Sequence, residues 1–156
     1  MSVQVGDIAP DFTLPDQTGT PVRLQDLLGR TAVVLYFYPK DSTPGCTIEA
    51  RSFQKSYDAF TEAGAEVVGI SSDSVGSHRR FAADEKLSFP LLSDRNGAIR
   101  TLYGVEKTLG ILPGRVTYVI DPSGIVRHVY SSQIMVTRHS AEALEALRSL
   151  SPATPT

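Results

Sequence analysis

Cys46 is the one cysteine in 156 residues, and it occupies a place where a thiol can become a nucleophile. The run Tyr36-Phe37-Tyr38-Pro39-Lys40-Asp41-Ser42-Thr43-Pro44-Gly45-Cys46 reads as a buried strand stopped by Pro39, a polar turn, and the start of a helix. Thr43 suits the N-cap of that helix and Pro44 its first position. Gly45 and Cys46 then fall in the first turn. The N–H groups there lack intrahelical partners and the helix end carries about half a positive charge, so a thiolate is favoured. The thiolate, not the thiol, attacks electrophiles. Cys46, Ala50, Phe53, Tyr57 and Phe60 recur at helical spacing, which predicts an inward-facing stripe with the cysteine at its head. Position alone also fits a buried structural cysteine, since free cysteine is among the most buried residue types. The local residues leave both readings open.

The elements needed to hold such a site follow from the apolar pattern. Phe12–Leu14 is a short run between Pro10 and Pro15, Asp16–Gly19 reads as a turn, and Val22–Leu24 as a short strand after it. Ala32–Tyr38 reads as a buried strand. A helix is expected from Thr43 to about Ala63, closed by Gly64. Ala65–Ser71 reads as a second apolar strand, Val75–Lys86 as a helix, Phe89–Leu92 as a shorter strand and Asn96–Tyr103 as a short helix. Arg115–Ile120 and Ile125–Tyr130 read as strands joined by Asp121-Pro122-Ser123-Gly124, a strong hairpin turn. Ser140 is expected to N-cap a last helix through Leu150, with Leu144, Leu147 and Leu150 inward. Strands alternating with helices pair in parallel, and the hairpin adds antiparallel strands. The expected fold is α/β, a central mixed sheet with helices on both faces.

Pro39-Lys40-Asp41-Ser42-Thr43-Pro44-Gly45-Cys46 resembles the active-site motif of the peroxiredoxins, in which a proline, a threonine and a cysteine stand at this spacing. Its flanks resemble the Q-type branch, the bacterioferritin comigratory proteins. Val5–Phe12, Val68–Ser71 and Gly114–Asp121 resemble further blocks of that family in family order, so the resemblance spans nearly the whole domain. It implies a thioredoxin-like fold and a thiol-dependent peroxidase that reduces hydroperoxides. Carried over by position, Cys46 matches the peroxidatic cysteine, and Thr43 the threonine that bonds the peroxide. Pro39 matches the proline that shields the pocket, and Arg115 the arginine that stabilises the thiolate and orients the peroxide. Glu49 matches a glutamate that positions such arginines. Gly45 and Tyr38 are expected to border the substrate. Read without the resemblance, Thr43 is a helix cap, Pro39 a strand terminator, Arg115 a solvated arginine, Glu49 helix surface, and Lys40 and Asp41 turn residues.

Many Q-type members carry a second cysteine on the same helix, at the place held here by Arg51, or on the following helix. Arg51 lies about 140° around the helix from Cys46, and Val75–Lys86 contains no cysteine. The chain therefore resembles a one-cysteine variant. Its oxidised cysteine would be resolved by an external thiol, from a thioredoxin, a glutaredoxin or a low-molecular-weight compound. A peroxide sensor or holdase with little turnover is the alternative. The resemblance also implies a monomer.

Composition sets the remaining bounds. The length suits one domain, residues 1–150, followed by a flexible tail, 151–156. A domain of this size buries roughly 68–70% of the surface its unfolded chain exposes. Apolar residues make up 41% and charged residues 21%, with a net charge of −2. That balance gives no electrostatic case for nucleic acid or an anionic membrane. No apolar run approaches the ~20 residues that cross a bilayer, and the N-terminus does not read as a signal peptide. A cytoplasmic address is expected. One cysteine excludes an internal disulfide. The three histidines, His78, His128 and His139, are scattered in sequence and expected at the surface, so no metal site and no cysteine–histidine pair is read from them. No cofactor motif is present. Asp73 and Asp94 read as turn or cap residues.

Overall fold

The structure, a computed structural model, describes residues 3–105, 114–132 and 135–150. The expected tail at 151–156 lies outside them. The chain opens with a small antiparallel ribbon, β1 (Thr13–Pro15) and β2 (Pro21–Arg23), and one short helix, α1 (Leu24–Leu27). Next come β3 (Ala32–Phe37), α2 (Pro44–Lys55), α3 (Tyr57–Glu62), β4 (Ala65–Ser71), α4 (Val75–Glu85), β5 (Leu91–Ser93) and α5 (Ala98–Tyr103). The hairpin β6 (Val116–Ile120) and β7 (Val126–Ser131) and the helix α6 (Arg138–Leu150) complete the order.

The main sheet has five strands in the order β5-β4-β3-β6-β7. β3 pairs in parallel with β4 and antiparallel with β6, so the sheet is mixed, as expected. Every residue of β3 is buried, the signature of a central strand covered on both faces. Its alternate side chains enter two cores. Val33, Leu35 and Phe37 pack with the N-terminal segment and with Tyr103 of α5. Ala32, Val34 and Tyr36 pack with Cys46, Ala50 and Phe53 of α2, Phe60 of α3, Phe81 of α4 and Leu147 of α6. This is the α/β, thioredoxin-like arrangement.

Three local expectations are corrected. The helix after Thr43 is not continuous: Ser56, at φ −97° and ψ 11°, leaves helical geometry and divides α2 from α3. Serine holds a helix interior weakly because its side chain competes for backbone groups. Tyr57 consequently leaves the fully buried stripe and is only partly buried. The last helix begins at Arg138, so Ser140 is inside it rather than capping it. Its hydroxyl donates to the Thr137 carbonyl and meets Ser52 of α2. Thr43 has the extended backbone of an N-cap, but its side chain caps no helical N–H.

Candidate active site

The register of β6 against β3 pairs Val116 with Phe37. Arg115, one residue before, therefore stands at the end of the sheet where β3 hands over to Pro39 and the loop leading into α2. Cys46 is the third residue of α2 and is 2% exposed; Arg115 is 5% exposed. The strand register and the helix start converge here: Arg115 Nη1 lies 3.5 Å from Cys46 Sγ. The same Nη1 donates to Glu49 Oε1. Arg115 is thus not the solvated residue its strand position alone suggests, and Glu49 is fully buried rather than helix surface.

The absence of a side chain at Gly45 permits this approach. A Cβ built there would lie 3.2 Å from Arg115 Nη2, tighter than ordinary contact. Burial opposes the charge on Arg115, but Glu49 and Cys46 outweigh it and raise its pKa. Burial also pushes the Glu49 carboxyl up to about 8, against the pull of Arg115. Among the described residues, Glu49 Oε2 and Arg115 Nε are buried without hydrogen-bond partners, as is the Tyr36 hydroxyl. The Tyr36 pKa is raised by burial and, beyond that, by the nearby Glu49 and Cys46.

The other expected residues lie on the loop between β3 and α2. Thr43 is half-buried and its hydroxyl donates to the Lys40 carbonyl at 2.8 Å. Pro39 is half-buried directly after β3. Tyr38 is buried, and its hydroxyl donates to Asp41 Oδ1 at 2.5 Å. Asp41 is 5% exposed and is more than a turn residue. Its Oδ2 lies 2.6 Å from His78 Nδ1 and accepts from Ser77 Oγ at 2.8 Å. Its N–H donates to Asp73 Oδ2 at 2.8 Å. The loop is thereby fastened to α4 and to the end of β4. Asp41, Asp73 and His78 bring possible ligand atoms within 4.8 Å of one another, a grouping their sequence spacing does not show. Asp41 Oδ2, Asp73 Oδ2 and His78 Nδ1 each take part in the hydrogen bonds just described.

Two of the three histidines, His78 and His139, are fully buried and not at the surface. His139 of α6 stands beside the site, with Nδ1 2.7 Å from Thr117 Oγ1 and Nε2 2.8 Å from the Ser132 carbonyl. Arg100 is a further buried residue that the sequence did not single out. Nη1 donates to the Gly114 carbonyl and Nη2 to the Tyr38 carbonyl, each at 2.9 Å. Its guanidinium carbon sits 5.7 Å from the Phe37 ring centre. Asp94, a helix-start residue as expected, accepts from the N–H groups of Ile99 and Arg100. A lone Arg in a short helix carries no sequence signal of burial. A cavity of about 510 Å³, lined by Ala32, Gly64, Pro122 and Leu147 among others, lies at the opposite end of β3 and is not part of this site.

A buried cysteine at a helix start, held by a buried arginine at the end of a mixed thioredoxin-like sheet, defines the class of cysteine-dependent peroxidases. Residues 5–129 match the AhpC/TSA family. The chloroplastic peroxiredoxin Q of Sedum lineare is 51% identical over 149 residues, covering 95% of this chain and 80% of that protein. The crystal structure of peroxidoxin BcpB from Mycobacterium tuberculosis aligns with a TM-score of 0.89 at 44% identity, over 95% of this chain and 98% of that one. The bacterioferritin comigratory protein of Xanthomonas campestris, described for alkyl peroxide reduction, aligns with a TM-score of 0.84 at 34% identity, over 95% and 97%. The chain belongs to the AhpC/TSA family and, within it, to the Q-type peroxiredoxins, as a variant with one cysteine. It is a thiol-dependent peroxidase, an oxidoreductase.

Proposed function

We propose that Cys46 is the peroxidatic cysteine and that an external thiol resolves it. The observation that carries this reading is the placement of Arg115 Nη1 at 3.5 Å from Cys46 Sγ. In the first step the Cys46 thiolate attacks one oxygen of ROOH, the O–O bond breaks, and the departing RO⁻ takes a proton to leave as ROH. Cys46 is left as a sulfenic acid. Negative charge develops on the departing oxygen, and preorganised donors aimed at such charge are usually the largest catalytic contribution. Arg115 and the Thr43 hydroxyl are the side-chain donors assigned to it. Thr43 would have to release the Lys40 carbonyl, a change of one hydroxyl rotamer. Pro39 shields the pocket, and Gly45 and Tyr38 border it. Glu49 orients Arg115.

In the second step a thiol R′SH condenses with the sulfenic acid, releasing water and forming a Cys46–S–S–R′ mixed disulfide. A second R′SH then displaces Cys46 as a thiol and leaves as R′SSR′. The chain has no other cysteine to do this. Without a thiol, further peroxide takes the sulfenic acid to sulfinic acid, which is generally irreversible. The alkyl peroxide chemistry described for the Xanthomonas relative makes organic hydroperoxides substrates to include.

The test is intact mass of the reduced protein after equimolar hydrogen peroxide, followed by addition of a small thiol or a thioredoxin. Gain of one oxygen at Cys46, then thiol-dependent peroxide loss, supports the proposal. Oxidation that no thiol reverses would replace external resolution with a sensor role.

A further inference from the structure

Glu49 presents two carboxylate oxygens to very different surroundings. Oε1 accepts from Arg115 Nη1. Oε2 is buried, has no hydrogen-bond partner among the described residues, and faces His139 Nδ1 at 3.7 Å. That separation is too long for a hydrogen bond, but both side chains are fully buried, so their charges are poorly screened.

The protonation of His139 can be reasoned from its neighbours. The Ser132 carbonyl can only accept, so Nε2, 2.8 Å away, carries a hydrogen. In a neutral ring Nδ1 is then a bare lone pair, which accepts from the Thr117 hydroxyl at 2.7 Å. In a charged ring Nδ1–H donates to the same hydroxyl, which serves equally as acceptor. Thr117 therefore satisfies His139 in either state. Glu49 has no such neighbour. Ionised beside a neutral imidazole, its Oε2 would face a lone pair with no donor, and a buried unpaired charge is expensive.

We propose that Glu49 and His139 together retain one proton at neutral pH, so that the positive charge of Arg115 remains uncompensated toward Cys46. The inference rests on the assignment of Cys46 as the peroxidatic residue. Its basis is a charge count. Arg115 with an ionised Glu49 and a neutral His139 sums to zero, and a thiolate at Cys46 would meet no net charge. One proton on the pair brings the sum to +1, which matches the thiolate. The proton resides on Glu49: burial holds His139 down at about 4, and Arg115 disfavours a second cation there. A neutral carboxylic acid still accepts from Arg115 through Oε1. Among the described residues, the other titratable groups near the pair are Tyr36 of β3, whose hydroxyl is unpartnered, and Tyr130 of β7, whose ring meets His139 at 4.8 Å; Arg100 of α5 interacts with Cys46 rather than with the pair. Arg138, next to His139, is directed to Glu142. His139 and Glu49 act here as positioning residues, through Arg115.

The experiment is infrared difference spectroscopy of the reduced protein through a pH titration, with Glu49→Gln as the assignment control, alongside nitrogen NMR of the His139 ring. A protonated-carboxylic-acid band at pH 7 that disappears as pH rises past about 8 and is missing from Glu49→Gln is the expected result. An imidazolium at His139 with Glu49 ionised keeps one proton on the pair and supports the shared charge, but overturns its placement on Glu49. An ionised Glu49 beside a neutral His139 at pH 7 overturns it. These readings need no peroxide, so they stand apart from the test of Cys46. In the oxidation assay, the wild-type rate constant is expected to fall about tenfold per pH unit above the transition; Glu49→Gln, unable to lose that proton, is expected to lack that limb.

Discussion

Arg100 Nη2 donates to the carbonyl of Tyr38 at 2.9 Å, and through that bond α5 grips the end of the strand that leads to Cys46. The same guanidinium holds the carbonyl of Gly114, directly before Arg115. One buried side chain thus fixes both backbone segments whose separation sets the Arg115–Cys46 distance. Burial lowers the Arg100 pKa, with Asp94 opposing.

Replacing Arg100 by Met keeps its length but leaves two buried carbonyls without donors. Each unsatisfied group costs about 1–3 kcal/mol. Urea unfolding is expected to show a loss of roughly 2–6 kcal/mol, and stopped-flow oxidation of Cys46 a slower rate in the fraction still folded. A variant as stable and as fast as wild type would remove Arg100 from this role.

Arg115→Lys retains a charge but not the rigid planar guanidinium that places Nη1 between Cys46 and Glu49. Loss of one donor to a developing oxyanion typically costs about 10²–10³ in rate. The second-order rate constant of Cys46 with peroxide is expected to fall by that order, measured by intrinsic fluorescence or competition. A fall of less than threefold would show that the guanidinium geometry is unimportant.

Gly45→Ala places a methyl group 3.2 Å from Arg115 Nη2. The backbone of α2 can accept alanine, and alanine favours helix, so thermal stability is expected to hold or rise slightly. Arg115 must shift by a few tenths of an ångström, and the oxidation rate is expected to drop several-fold. Kinetics unchanged from wild type would mean that Arg115 yields without consequence.

Asp41→Asn removes the carboxylate that accepts from Tyr38 and Ser77 and lies 2.6 Å from His78 Nδ1 beside the Pro39–Thr43 loop. A buried network losing one of its acceptor oxygens is expected to cost about 2–4 kcal/mol. Hydrogen exchange should reveal the loss in the loop before it reaches β3. Uniform protection throughout would contradict the fastening described for this loop.

Stability should depend on pH through the same buried pair. Glu49 is raised from 4.5 to about 8, so its contribution is complete below about 4.5 and is lost as pH rises through about 8. His139 is lowered from 6.5 to about 4, so its contribution is complete above 6.5 and is lost as pH falls through about 4. Between 4.5 and 6.5 the two slopes oppose each other. The urea midpoint is expected to be level there, to fall toward pH 8, and to lose that fall in Glu49→Gln. A wild-type midpoint level from 6.5 to 8 would falsify the Glu49 assignment.

The sequence by itself determined where a helix starts and which side of it points inward. Pro39, Thr43 and Pro44 are local signals, and the burial of Cys46, Ala50, Phe53 and Phe60 follows from helical spacing. The strands were equally readable, because continuous apolar runs such as Ala32–Phe37 and the turn Asp121–Gly124 need no distant partner to be recognised. The family resemblance pointed to Arg115 and Glu49, but local chemistry alone would have left both in solvent. Only the tertiary structure brought Arg115 to Cys46, across 69 residues of chain, because β6 lies antiparallel to β3 in one particular register. It also decided that Arg100, His78 and His139 are buried: polar side chains carry no periodic signal of burial, and their partners are backbone carbonyls and carboxylates supplied by other elements. The break at Ser56 belongs to the same class, since a single serine weakens a helix everywhere but ends it only where packing turns the chain.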